Sequence, residues 1–437
     1  MFSDLNELKA KYQTIKQPGL DLLQVRYGDI EPLISSLPSI FQVSEVGRSY
    51  QDRPLNKVLV GKGPVRLFMW SQMHGDESTA TASLFDLMNF ISASENQDWV
   101  ESWSTKLTLQ MAPMINPDGA EISSRYNAQG IDLNRDAVTL QASEAKTLSA
   151  LADDFKPHYG FNLHDQNRYY TTGDSHNTAT ISLLAPAFNK AKDVNESRHR
   201  AMQLAGLFNR ELQQQIPGCV GRYDDTYSYR SFGDNFSARG IATILIESGH
   251  YPGDPCRQTA RWLNFMMLIM AIDSIAANEV EENTLEDYES IPMNTSDGLV
   301  DIMLRNVNCQ DHFTADYSNN CSREFDNPRI EEIGDLSHQE GLNSYDMSEY
   351  LLEPIKGYVL TDTLVLSEES YLEILRQGFS YFVGESDMLQ NNTNWPVIIM
   401  SQELALDIPE RQGQVHMIFS KAGQPVRALI RDTWIEL

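Results

Sequence analysis

The sequence predicts an α/β protein: a buried sheet covered by helices on both faces, followed by a smaller β-rich domain. Three observations lead there. Between residues 65 and about 277, short apolar runs that read as strands alternate with stretches whose apolar residues recur at helical spacing. After residue 277 the composition turns acidic and then strand-rich. With 437 residues, 41% of them hydrophobic and 22% charged, the chain is globular in composition and long enough for two or three domains.

Each element follows in order. "SDLNELKAKYQ" near the start reads as a helix, and "FQVSEVGRSYQDRPLNKVLVGKG" as a short β segment. "VRLFMW", "LTLQMAP", "HYGFNLH" and "IATILIES" are short, apolar and partly β-branched, as strands buried on both faces are. Between them, "STATASLFDLMNFIS", "SEAKTLSALADDF" and "ESRHRAMQLAGLFNRELQQQI" carry the helical period. "NEVEENTLEDYES" (278–290) is acidic and lacks a core pattern, so a domain boundary is expected there. Beyond it, "LVDIMLRNVN", "GYVLTDTLVLS", "YFVG", "WPVIIM" and "VHMIFSK" predict a β-rich domain with few helices. The expected division is an N-terminal extension (1–40), a main domain (41–277), an acidic linker (278–295) and a C-terminal domain (296–437).

A net charge of −27 argues against a nucleic-acid or anionic-membrane partner, since both need basic patches that replace counterions. The longest apolar stretch, "WLNFMMLIMAIDSIA" (262–276), is short for a membrane span and contains Asn264 and Asp273, so a buried helix is expected. Cys219, Cys256, Cys309 and Cys321 are widely spaced with no CxxC, which argues against a thiolate metal cluster and leaves room for one disulfide such as Cys309–Cys321. The first residues lack the basic start and apolar core of a signal peptide, and a cytoplasmic location is the expectation.

Polar groups gather at the ends of the predicted strands, where open α/β sheets bind ligands. His74 and Glu77 follow the first strand in "SQMHGDES"; Asn116 and Asp118 follow the second; His164 ends the third; Glu247 ends the fourth. Two histidines and a carboxylate are a common zinc set that leaves one position for water, and His74, Glu77 and His164 supply it. Glu247 is the free carboxylate that could take the water's proton. A ligating histidine needs a partner on its other ring nitrogen, and "RYNAQGIDLNRD" offers Asp132. In the same string, Arg135 beside Asn134 can grip a carboxylate, and Arg125 can stabilise an oxyanion. Taken singly, each motif reads as local structure: a turn histidine, a first-turn glutamate, an Asn-Pro-Asp-Gly turn, a surface ion pair. Their joint occurrence in one chain favours chemistry.

HGDE, NPDG, R-x-N-x-x-G-x-D-x-N-R, LHD and a late strand-end Glu, in this order, resemble the zinc metallocarboxypeptidases of the carboxypeptidase A type over about residues 40–277. The resemblance implies a mixed, mostly parallel eight-stranded sheet between helices and one Zn²⁺ per chain. It assigns His74, Glu77 and His164 as ligands, Asp132 as partner of the first histidine, Glu247 as general base and Arg125 as oxyanion stabiliser. Asn134 and Arg135 become the carboxylate clamp. It also implies a mobile tyrosine some twenty residues before the base; of Tyr223, Tyr227 and Tyr229, Tyr227 is the expected one. Gly233 or Asp234 falls near the base of the side-chain pocket, and Arg230 or Arg239 could favour an acidic group there.

The implied activity is zinc-dependent hydrolysis of the peptide or amide bond next to a free C-terminal carboxylate. The alternative is an N-acyl amino acid deacylase related to aspartoacylase and succinylglutamate desuccinylase. That group shares the H-x-x-E site, an arginine clamp and a C-terminal β domain but usually lacks NPDG. A third reading, from another class, is an inactive module that binds a peptide tail. The expected partner is thus a peptide or acyl-amino-acid substrate with a free carboxylate.

Overall fold

The computed structural model describes residues 5–296, 298–309, 313–320, 328–405 and 407–437. The chain divides into two compact units, Met1–Ser296 and Asp297–Leu437.

The first unit opens with helices α1 (Leu5–Ile15) and α2 (Tyr27–Ser35). Its strands are β1 (Gln42–Arg48), β2 (Pro54–Gly61), β3 (Val65–Trp70), β4 (Leu107–Ala112), β5 (Tyr159–Asp165), β6 (Thr171–Thr172), β7 (Ile181–Leu184), β8 (Val220–Arg222), β9 (Ala242–Ser248) and β10 (Asn294–Thr295). The further helices are α3 (Thr79–Ser92), α4 (Gln97–Ser104), α5 (Pro117–Glu121), α6 (Ser143–Phe155), α7 (Glu196–Gln215), α8 (Phe232–Ala238), α9 (Gln258–Ala277) and α10 (Leu285–Glu289). Eight strands form one sheet in the order β1-β2-β4-β3-β5-β9-β7-β8, while β6 pairs with β10. The central β4, β3, β5 and β9 run parallel, β1, β2 and β7 join antiparallel, and β8 runs parallel to β7. This is the mixed, mostly parallel eight-stranded sheet that the resemblance implies.

Alternation along β3 shows why its run is apolar throughout. Leu67 and Met69 enter the core shared with α3, α7 and α9, whereas Phe68 and Trp70 enter the opposite core with Leu148 of α6 and Phe232 and Phe236 of α8. The edge strand β1 is polar and mostly exposed, which suits an edge. Helix α9, long and apolar enough to cross a membrane, is buried against α3, α4, α7 and β9.

Two expected boundaries move. Residues 1–40 are no separate extension: Leu8, Tyr12, Ile15, Leu20, Val25, Ile30 and Ile34 belong to the main core. A buried ion pair fixes them, with Arg261 of α9 bound to Asp86 of α3 at 2.6 Å. Arg261 also donates to the carbonyls of Leu20 and Gln17, and the Tyr12 hydroxyl donates to Asp86 at 3.0 Å. Residues 278–295 likewise fold onto the first unit rather than link. Thr284 caps α10, Val280, Tyr288 and Ile291 are buried, and the amide of Ala185 donates to the Tyr288 hydroxyl at 3.1 Å.

The second unit continues with β11 (Leu299–Cys309), β12 (Phe313–Asn320), β13 (Arg329–Gly334), β14 (Glu340–Asp346), β15 (Leu351–Leu352), β16 (Gly357–Val359), β17 (Leu364–Leu366), α11 (Glu368–Arg376), β18 (Tyr381–Val383), β19 (Leu389–Asn391), β20 (Ile399–Met400), β21 (His416–Lys421), β22 (Gln424–Ile430) and β23 (Thr433–Glu436). Its main sheet runs β13-β12-β11-β15-β21-β22-β23, with β14 also on β11. Ile418, Ala428 and Ile430 pack with Tyr371 and Leu375 of α11 on one face; Met417, Phe419 and Leu429 pack with Leu304 and Tyr317 on the other. Of the suggested Cys309–Cys321 pairing, Cys309 is buried at the end of β11 and Cys321 lies outside the described residues.

Candidate active site

The bend after β3 aims the first ligand pair. Gln72 takes a left-handed conformation (φ 49°), and its side chain donates to the carbonyls of Val25 and Gly75 at 2.7 and 2.9 Å. Gly75 is required: a Cβ there would stand 2.0 Å from the carbonyl carbon of Gly119, so the HGDE and NPDG loops interlock through backbone. The amide of Glu77 then donates to the carbonyl of His74 at 3.2 Å, a tight turn that brings the two side chains together. β5 lies beside β3 with Asn162 opposite Trp70, which carries His164, two residues on, to the same end.

His74 Nδ1 lies 2.8 Å from Glu77 Oε1, and His164 Nδ1 lies 2.6 Å from Glu77 Oε2. The three side chains are buried, and their candidate ligand atoms fall within 4.8 Å of one another. Asp132 Oδ1 sits 3.2 Å from His74 Nε2, so the proton belongs on Nε2 and the Nδ1 lone pair faces the cluster. Asp132 also caps its own turn through the amide of Asn134 at 2.9 Å and receives Arg125 Nε and Nη2 at 3.1 and 3.0 Å.

The charges of the cluster act on one another. Burial pushes Glu77 up, but the two histidines outweigh it and hold its carboxyl well below the usual range. Burial pushes His74 down, yet Glu77 and the bond to Asp132 win and its pKa rises to about 9. For Asp132, burial is outweighed by His74, Arg125 and Arg135, and its pKa falls far below normal. His164 is pushed down by burial. Two imidazole nitrogens and one carboxylate form the borderline donor set zinc takes. Around an ion with bonds of ~2.1 Å, tetrahedral ligands stand about 3.4 Å apart, within reach of this cluster by small rotations. The buried Nε2 of His164 has no hydrogen-bond partner among the described residues. The residues present fit zinc.

Glu247 pairs in register with His164 across β5 and β9, which puts its carboxylate at the same edge. Burial, then the charges of Glu77 and Asp165, raise its pKa to about 8. The tyrosine in electrostatic contact with it is Tyr223, raised by burial and by Glu247, with its hydroxyl 3.1 Å from that of Tyr170. Tyr227, the expected one, is half-buried and makes no hydrogen bond among the described residues, while Tyr229 is exposed. The loop 223–231 has no regular period, so spacing alone could not choose between them.

Asn134 and Arg135 sit on one 3₁₀ turn. Asn134 Oδ1 accepts the amide of Phe232 at 2.9 Å, leaving its NH₂ for a ligand. The exposed Arg135 donates to the carbonyl of Asn134 and to Ser231 Oγ at 2.7 and 3.2 Å, and has no ion pair among the described residues. Gly233 is closely packed against Pro186 and Asn162: a Cβ there would meet them at 3.3 and 3.4 Å, so a neighbour would have to give. Asp234 accepts the amide of Ser228 at 2.8 Å, and burial raises its pKa to about 6. Arg239 is bound to Asp153 of α6 and stacks on Phe236, so it is committed elsewhere. Arg230 is exposed, and its carbonyl accepts the amide of Ala137. Asn116 and Asp118 are structural too. Asn116 caps the amide of Gly119, and the buried Asp118 holds Ser49 Oγ, the amide of Gln51 and Arg53 at 2.7, 2.8 and 2.7 Å.

Residues 28–201 match the zinc carboxypeptidase family, in agreement with the resemblance carried by the ordered motifs. That segment contains His74, Glu77, Arg125, Asp132, Asn134, Arg135 and His164, and ends before Glu247. Carboxypeptidase 2 of Trichophyton rubrum is 25% identical over 187 residues, 42% of this chain and 32% of that one. Gamma-D-glutamyl-L-diamino acid endopeptidase 1 of Lysinibacillus sphaericus is 28% identical over 100 residues, 22% of this chain and 25% of that one. The chain spans 32% and 25% of the length of these two relatives, and 39% of that of the probable carboxypeptidase 2 of Trichophyton verrucosum, which it also resembles. Among solved structures, a metallo-carboxypeptidase from Pseudomonas aeruginosa, in complex with (2-guanidinoethylmercapto)succinic acid, is 17% identical with a TM-score of 0.48, covering 60% of this chain and 71% of that one. A succinylglutamate desuccinylase/aspartoacylase from Rhodobacter sphaeroides is 14% identical with a TM-score of 0.38, covering 54% and 65%.

Proposed function

We propose that this chain, zinc-carboxypeptidase-like over residues 28–201, is a zinc-dependent peptidase that hydrolyses the bond next to a free C-terminal carboxylate. The observation that carries the reading is the meeting of His74, Glu77 and His164 at one sheet edge, with Glu247 in register beside His164. Zinc held by the three ligands supplies Lewis acidity and lowers the pKa of water towards ~7.

The protein's own groups do the rest. Glu247 takes a proton from the attacking water as the new C–O bond forms, and delivers it to the leaving nitrogen as the C–N bond breaks. Its place in register with His164, at the same sheet edge, suits both transfers. Arg125, beside Asp132 and 3.6 Å from Glu77, is placed to stabilise the oxyanion. The Arg135 guanidinium and the Asn134 NH₂ grip the terminal carboxylate. We place Tyr223, rather than Tyr227, beside the base.

The test compares a free-acid peptide, its C-terminal amide and an N-acyl amino acid, each with zinc and with chelator. Zinc-dependent turnover of the free-acid peptide, far above the other two, is expected. Preference for the N-acyl amino acid would move the chain to the deacylases, and bound zinc with no turnover would make it a binding module.

A further inference from the structure

We propose that Arg257 is a positioning residue whose guanidinium ties together the chain ends carrying Glu77, His164 and Glu247, and so sets their separations. The inference rests on the active-site reading above.

Arg257 stands immediately before α9 in a left-handed conformation (φ 53°), which non-glycine residues rarely adopt. Its side chain is only 10% exposed. Nη1 donates to the carbonyl of Ser248 at 2.6 Å, and Nη2 to the carbonyl of Gln166 at 2.9 Å. Ser248 follows Glu247, and Gln166 is two residues beyond His164. Nη1 also lies 3.7 Å from Asp165 Oδ2, an oxygen that accepts Thr79 N and Oγ1 at 3.2 and 2.9 Å. Thr79 is two residues beyond Glu77, and the amide of Asp165 donates to Glu77 Oε2 at 3.3 Å. One buried cation thus reaches the residues flanking two ligands and the base, and touches none of the three.

The location explains the need. Past Ser248, the β9 chain leaves β5, and the amide of Gly249 turns to the carbonyl of Thr180 at 2.8 Å. The amide of Gln166 donates to the carbonyl of Ser248 at 2.9 Å as the last rung between the two chains, and beyond it their spacing loses the ladder's constraint. A planar fork meets two carbonyls at a fixed separation, whereas a lysine ammonium is a point donor on a flexible stem. α9, buried along its length, gives the fork a rigid base. Because a misplacement of about 1 Å can cost ~10²-fold in rate, the fork's geometry bears directly on turnover.

The test uses the full chain with Arg257→Ala and Arg257→Lys. With saturating zinc, Arg257→Ala should lower kcat on a free-acid peptide by roughly 10²-fold, with KM within about threefold, and Arg257→Lys should fall between it and the parent. The zinc dissociation constant should rise about tenfold, as for lost support of metal ligands. Millimolar guanidinium should restore both properties in Arg257→Ala and leave the parent unchanged. Unchanged kcat and zinc affinity would overturn the inference. So would a loss that guanidinium does not rescue and that tracks a fall in melting temperature, which marks a merely structural role. If the parent turns over no substrate while zinc affinity responds as described, the functional reading fails and the positioning role stands.

Discussion

The two units bury polar groups differently. The first buries His74, Glu77, Asp86, Asp118, Glu144, His164, Asp165, Arg257 and Arg261. Among the described residues of the second, the buried polar side chains are Ser318, Asn319, Ser380, His416 and Ser420, with no carboxylate, lysine or guanidinium. Since a buried charge is costly unless paired, each in the first unit needs a reason. Asp86 with Arg261 and Asp118 with Arg53 have structural ones, because they pin the N-terminal segment and the β1–β2 turn. The cluster at the ends of β3, β5 and β9 has none of that kind. Glu77, Asp165 and Glu247 gather there, and burial first, then the charges of the other two, raise the pKa of Glu247 to about 8. Such a concentration of anions is relieved by a bound cation. The second unit, by contrast, is organised around apolar packing.

The largest expected effect separates the units by their response to metal. A chelator should abolish peptide hydrolysis and weaken hydrogen-exchange protection in β3 and β5, while leaving β11 and β21 unchanged. Zinc at a thousand times its dissociation constant stabilises the state that binds it by about 4 kcal/mol, so added zinc should restore both properties. An equal response of the two units would break the comparison. Next comes Glu247→Gln, which keeps shape but cannot accept a proton. Turnover should fall by at least ~10²-fold with about one zinc retained. Near-full activity would mean that another group activates the water.

The contrast was partly legible in the sequence. The central strands announced themselves as unbroken apolar runs, and His74, Glu77, His164 and Glu247 stood at their ends. β7 and β8, four and three residues long, carry too little pattern to read, and α2 hides behind Pro32. The stretch 278–295 looked like a linker because its charges mask the few residues that anchor it, Val280, Tyr288 and Ile291. Asn116 and Asp118 sat at a strand end as the ligands do, yet they serve turns. Only the three-dimensional partners tell these cases apart. Arg257 gave no signal at all, because its partners are backbone carbonyls, which no side-chain motif encodes.

The clamp tests what the first unit's edge reads. A guanidinium at Arg135 can form two parallel bonds to a terminal carboxylate, which lysine cannot reproduce. Amidating the substrate's C-terminus should therefore lower kcat/KM roughly ten- to a hundred-fold, the equivalent of about 1.5–3 kcal/mol. Arg135→Lys should lose a similar amount on the free acid and little more on the amide, because both changes remove one interaction. Measuring the four combinations with one peptide decides it. Equal rates on acid and amide would remove the carboxylate from the reading.

The smallest effect belongs to the second unit and its one buried histidine among the described residues. His416 begins β21, with Nδ1 3.1 Å from Ser380 Oγ and its ring 5.1 Å from that of Tyr381. Burial pushes its pKa from 6.5 down to about 4. The unfolded chain takes up the proton below about pH 6.5 while the folded one resists it, so the contribution to stability is intact above 6.5 and is lost as pH falls towards 4. Between pH 7 and pH 5 the two titrations differ by about 2 kcal/mol. Hydrogen exchange followed separately in β21 and in β5 should show β21 losing protection over that interval. His416→Gln stays neutral and keeps a side-chain partner for Ser380, so it should flatten the slope in β21 alone. A slope that persists in His416→Gln would place the acid sensitivity elsewhere in the second unit, and would end the contrast between a unit that gathers titratable groups around a ligand site and one that merely hides a single histidine.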